Sequence, residues 1–137
     1  MSANSAELEL GVKPMVKYDE HGLIPAIVQD AATGNVLMMA WMNAEALQNT
    51  LKTRKATFYS RSRKKMWVKG ESSGHVQEVL DLRTDCDQDV ILLKVKSHGP
   101  ACHVGFPTCF YRSWIPATDE LKIVEQKTFD PDQVYKK

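Results

Sequence analysis

The chain has 137 residues, 43% hydrophobic and 26% charged, a length and balance that fit one domain with a modest core and exclude wholesale disorder. A formal net charge of +1 gives no electrostatic reason to expect a nucleic-acid partner. No apolar run approaches the roughly 20 residues needed to span a bilayer, and the start MSANSAELELGVKP lacks the basic and apolar regions of a signal peptide, so a cytoplasmic protein without membrane contact is expected.

Residues 1–15 show little periodicity and read as a loose arm. IPAIVQD (24–30) and NVLMMAWM (35–42) read as strands joined by a turn through Gly34. Asn43 is a good N-cap, and Ala44, Leu47 and Leu51 recur at helical spacing through AEALQNTLKT. ATFYSRS (56–62) has the β-branched and aromatic content of a strand. HVQEVLDLR (75–83) could be helix or strand, and the alternation of Val76, Leu80 and Leu82 favours strand. VILLKVKS (90–97) is the clearest core strand. Residues 98–109, with two Pro and two Gly, form a loop. FYRSWIP returns as a short strand, and residues 118–137 read as a peripheral tail. The expected fold is α+β: a compact, strand-rich mixed sheet with few short helices, in a single domain spanning 1–137.

Three groups of residues carry chemistry. Cys86, Cys102 and Cys109 are the only cysteines, an odd number that argues against a disulfide framework. Together they offer three soft ligands of the type zinc prefers. Either a histidine completes the set or water takes the fourth position, and His103 stands beside Cys102.

Around Cys86 runs TDCDQD, with Asp85, Asp87 and Asp89 at alternate positions. Carboxylates this crowded repel unless something positive sits among them. In an ideal strand the outer two would stand roughly 13 Å apart, too far to share an ion. So either the segment curls or only two aspartates bind directly. Val90 and Lys96 occupy the positions where a calcium loop needs Gly and Glu, which leaves magnesium as the better candidate. An extended segment would also point Cys86 away from the carboxylates, which suggests a zinc site shared between two chains.

RSRKKMWVKGESSGH (61–75) combines Arg61, Arg63, Lys64, Lys65 and Lys69 with Gly70, Ser72, Ser73 and Gly74. Arginine forks and Gly/Ser backbone suit a phosphate, although the same composition fits an exposed basic hairpin. Glu71 within this basic stretch suggests a specific polar contact.

In order and spacing, YSRSRKKMWVKGESSGHVQ (59–77), DCDQD (85–89) and GPACHVGFPTCF (99–110) together resemble the phosphoribosyl-AMP cyclohydrolase family of histidine biosynthesis. The resemblance covers most of residues 20–115. It implies a hydrolase that opens the adenine ring of 1-(5-phosphoribosyl)-AMP between N1 and C6, using a zinc-activated water. The product is the ring-opened phosphoribosyl-formimino imidazole carboxamide ribotide. It implies an intertwined homodimer with one zinc per subunit, held by Cys86 of one copy and Cys102 and Cys109 of the other, and magnesium on Asp85, Asp87 and Asp89. His103 is then the best-placed base and Glu71 the second choice, with Arg61, Arg63, Lys69, Ser72 and Ser73 on the substrate. The pyrophosphohydrolase domain fused to some relatives is not expected here. Two other functions compete on the residues alone. One is an RNA-binding module with a structural zinc, which the near-neutral charge disfavours. The other is a nucleoside deaminase, which would lack a use for the basic stretch and whose H-x-E…P-C-x-x-C signature is missing.

Overall fold

The computed structural model describes residues 5–71, 73–102 and 104–127. Along the chain run helix α1 (Ser5–Leu10), strands β1 (Ile24–Asp30) and β2 (Val36–Met42), and helix α2 (Ala44–Thr53). Strands β3 (Thr57–Ser60), β4 (Lys65–Val68), β5 (Gln77–Thr84), β6 (Ile91–Ser97), β7 (Arg112–Ile115) and β8 (Glu120–Ile123) follow. This is the expected α+β class, a mixed sheet with few short helices. None of the described helices is long and apolar enough to cross a membrane.

The main sheet has the order β2-β1-β6-β5. Strand β1 pairs antiparallel with β2 and parallel with β6, and β5 pairs antiparallel with β6. Strands β1 and β6 take the centre, where both edges are bonded. Pro25, which has no N–H to give, precedes the β1–β6 ladder, whose pairing begins at Ala26. Alternation along β1 and β6 buries Ile24, Ala26, Val28, Ile91, Leu93 and Val95 on one face. Between β1 and β2 the chain turns through Gly34 at φ +81°, a conformation glycine adopts without strain. Asp30 fastens that turn by accepting the Thr33 amide and hydroxyl, each at 2.8 Å.

Helix α2 packs onto this face together with β3. The Asn43 side chain accepts the Ala46 amide at 2.8 Å, as an N-cap should, and Arg54 closes the helix in the left-handed conformation. The buried stripe is Ala46, Leu47 and Thr50, rotated from the expected Ala44, Leu47 and Leu51. Thr50 can be buried because its hydroxyl donates to the Ala46 carbonyl at 2.9 Å and accepts the Thr57 amide at 3.1 Å. That second bond ties the helix to β3. Fully buried Phe58 fills the space beside it and meets Trp67 of β4 at 5.0 Å between ring centroids.

Three further details differ from the sequence reading. Residues 5–10 form α1, with Leu8 buried, where a loose arm was expected. In β5 the inward residues are Gln77 and Val79, and a bulge between Val79 and Asp81 leaves Leu80 54% exposed while Leu82 returns to the core. Finally, β3–β4 and β7–β8 form separate two-stranded hairpins, and the second occupies part of the segment expected to be only a peripheral tail.

Candidate active site

The acidic segment 85–89 leaves β5 and curls instead of extending. One Asp85 carboxylate oxygen accepts the amides of Asp89 at 3.0 Å and Val90 at 3.3 Å. Gln88 takes a left-handed φ of +57°, and its amide donates to the Asp85 carbonyl at 3.1 Å. The curl replaces the 13 Å separation of an extended strand with a tight cluster. Asp85, Asp87 and Asp89 each offer an oxygen within 4.8 Å of the others. Crowding has an electrostatic signature: the Asp89 pKa is raised, first by its hydrogen bond with Asp85, then by slight desolvation and the charges of Asp85 and Asp87.

Cys102 and Cys109 sit in the loop that follows β6. Backbone bonds from Ala101 to Pro107 and from Cys102 to Phe106 fold the loop back on itself. The Cys109 amide donates to Leu37 of β2 at 2.7 Å, and the Thr108 hydroxyl donates to the Val36 carbonyl at 2.8 Å, so the loop is anchored along β2. Gly105 lies at φ +109°, within the tight return between the two cysteines. The two thiols are close enough to act on each other electrostatically. Cys102 is buried; Cys109 is exposed as a residue, yet partial burial of its thiol and the neighbouring Cys102 push its pKa up to about 11. A soft, doubly charged cation would reverse that penalty by favouring the thiolates.

Cys86 is exposed and does not join this pair within one chain. Among the described residues, only the three aspartates form a group of at least three ligand atoms close enough to share a metal. His103 and Ser72 lie outside the described residues.

The basic stretch is the β3–β4 hairpin and the turn after it. Arg63, Lys69, Glu71 and Ser73 line one cleft of about 520 Å³, floored by Met66 and Trp67. Arg61 lies over the Trp41 ring at 4.7 Å and lines an adjoining cleft that shares Ser60, Ser62 and Trp67 with the first. Lys69 links this surface to the sulfur loop. Its ammonium donates to the Ala101 carbonyl, and its charge reaches both Cys109 and Cys102. Burial lowers its pKa, and the two thiols partly oppose that shift.

Sequence reasoning passed over three residues that shape this region. Trp41 supplies the surface beneath Arg61. His75 is wedged between glycines: a Cβ on Gly70 would strike the His75 and Val76 backbone, and one on Gly99 would strike the His75 ring. The two glycines were the available signal, since both lie in motifs that the sequence picks out. Gln88, between two of the aspartates, gave no signal of its own.

A family model described as phosphoribosyl-AMP cyclohydrolase matches residues 38–111. The phosphoribosyl-AMP cyclohydrolase of Chlorobium phaeobacteroides is 55% identical over 137 residues, covering 100% of this chain and 98% of the relative. That of Chlorobium limicola is 55% identical over 139 residues with the same coverage. The enzyme of that name from Chloroherpeton thalassium is 50% identical over 133 residues, 97% of this chain and 95% of its own. With more than half of its length inside the family model and full-length relatives at this identity, the chain belongs to the phosphoribosyl-AMP cyclohydrolase family, a family of hydrolases.

Proposed function

We propose that this chain hydrolyses phosphoribosyl-AMP, opening the adenine ring at the N1–C6 bond within histidine biosynthesis. One observation carries the reading: Lys69 belongs at once to the Arg63/Glu71/Ser73 cleft and to the Cys102–Cys109 pair, so an anion-binding surface and soft metal ligands share one side chain. A nucleotide held by its phosphates in the cleft would extend its base toward the thiols.

The donor sets fit two different metals. Two adjacent thiols suit zinc, and Cys86 of a second copy would complete three sulfur ligands, which is why a homodimer is part of the proposal. Oxygens within 4.8 Å of one another approach the spread required around magnesium, whose bonds to oxygen are about 2.1 Å. Zinc, when bound, would lower the pKa of a water molecule and supply a nucleophile near neutral pH.

The remaining roles belong to the chain. Arg63, Lys69, Ser72 and Ser73 would grip phosphate oxygens, while Arg61 on Trp41 would fix the second phosphoribosyl group. His103, next to Cys102 in sequence, would take a proton from the attacking water. Oxygen then bonds to C6, the C6–N1 bond breaks, and the proton goes to N1. The water's second proton goes to the exocyclic nitrogen, which stays on C6 as the NH2 of the carboxamide. Glu71, in the same cleft as Lys69, is the second candidate for the proton transfer. The test is to incubate zinc-loaded protein with phosphoribosyl-AMP, with and without added magnesium, and follow the ring-opened product by absorbance. Absence of turnover under both conditions would overturn the proposal.

A further inference from the structure

Gln88 sits between two exposed aspartates and is itself only 5% exposed. The N-terminal segment is what covers it. Its side-chain amide donates to the Leu8 carbonyl at 3.0 Å, its side-chain oxygen accepts the Met15 amide at 2.6 Å, and its own carbonyl accepts the Lys17 amide at 2.8 Å. Both polar ends of one side chain and the adjoining peptide are therefore committed to residues more than seventy positions earlier in the chain.

The commitment falls at the most sensitive point of the acidic turn. Gln88 is the residue of this turn in the left-handed conformation, φ +57°, which is uncommon and mildly unfavourable for a residue with a Cβ. Its ψ and the following peptide set where the Asp89 amide points, and that amide bonds to Asp85 at 3.0 Å. Released from the arm, residue 88 would be free to relax toward negative φ. The Asp89–Asp85 bond would open and the three carboxylates would move apart, as their mutual repulsion already favours.

We infer that Gln88 is a positioning residue and that the segment Leu8–Lys17 is a strap, together holding Asp85, Asp87 and Asp89 in the arrangement that receives a divalent cation. The inference rests on reading those aspartates as the cation site. Linkage makes it reciprocal: if the docked strap favours the cation, the bound cation must favour the docked strap.

The test uses the full-length, zinc-loaded protein and magnesium alone. Magnesium affinity is measured by calorimetry, and exchange of the Met15 and Lys17 amides is followed by NMR with and without magnesium. Gln88→Gly removes the side chain while suiting the positive φ, and Leu8→Asp puts a charge at a buried position of the strap while leaving every residue of the turn unaltered. Each variant should retain zinc and bind magnesium roughly 10- to 100-fold more weakly, the range found when groups that orient metal ligands are removed. In the unaltered protein, magnesium should slow exchange at both amides. Unchanged affinity in the two variants, or amide exchange indifferent to magnesium, would overturn the strap. If Gln88→Gly does not fold, Leu8→Asp and the exchange measurement still decide the matter. If Asp87→Asn titrates like the unaltered protein, the cation reading itself has failed and the strap falls with it.

Discussion

Asp85 does two jobs with one carboxylate. It caps the turn by accepting the Asp89 and Val90 amides, and it crowds Asp89 enough to raise that residue's pKa. A raised native pKa means the folded chain binds this proton more tightly than the unfolded chain does. In metal-free protein the resulting stability is fully present below the unfolded carboxyl's range and is lost as pH rises through Asp89's own value. Asp85→Asn removes the first cause of the shift, so Asp89 should titrate at lower pH in an NMR titration of its carboxyl carbon; an unmoved midpoint would refute the assignment. If His103 is the base proposed above, His103→Ala should keep its zinc by elemental analysis and lose about 100-fold or more in kcat, the usual minimum for a proton-transfer residue. Normal turnover would move the role to Glu71. Gly70 is a different kind of residue, acting through the Cβ it lacks. At φ +84° and against the His75 and Val76 backbone, Gly70→Ala should cost about 2 kcal/mol or more in urea unfolding.

Elements were legible in the sequence where one local rule was sufficient. The apolar run of 24–30 with the turn after it gave β1 at its observed bounds, and the Asn43 cap with a helical repeat gave α2. Asn43→Ala should therefore cost about 1 kcal/mol in chemical denaturation, and Asn43→Ser should recover most of it, because the cap depends on a single side-chain acceptor. What was not legible depended on partners distant in sequence. The buried face of α2 includes Thr50 only because Thr57 supplies a hydrogen bond across the turn, which hydropathy does not record. In β5 the alternation of Gln77 and Val79 turns Leu80 outward and the bulge returns Leu82 to the core, so an apolar repeat that marked the strand did not mark one buried face. Strand β4, KMWV, was hidden within a basic stretch because its pairing with β3 lets Lys65 face solvent while Trp67 reaches Phe58. The carboxylate trio was visible as a spacing with a curl as one of two alternatives; what decides for the curl, Asp85 capping and Gln88 reaching back to residues 8–17, was not.

At the scale of the whole molecule, the proposed zinc site asks for three sulfurs that one chain does not bring together. One chain brings Cys102 and Cys109 together and leaves Cys86 exposed at the acidic turn, apart from them. In a two-fold dimer each surface meets its own copy, so a site built from Cys86 of one subunit and the cysteine pair of the other occurs twice. This arrangement makes a prediction that a site within one chain does not. Cys86→Ser and Cys102→Ser should each lose zinc and activity when expressed alone. In a mixed dimer of the two, isolated through different affinity tags, one site receives both substitutions and the other receives neither. That dimer should recover about half of the unaltered protein's zinc and turnover, set by the symmetry of the assembly. A mixed dimer as empty of zinc as its parents would place the ligands within single chains. Failure of the two tagged chains to copurify at any protein concentration would remove the dimer, and with it the only means by which Cys86 could reach its partners.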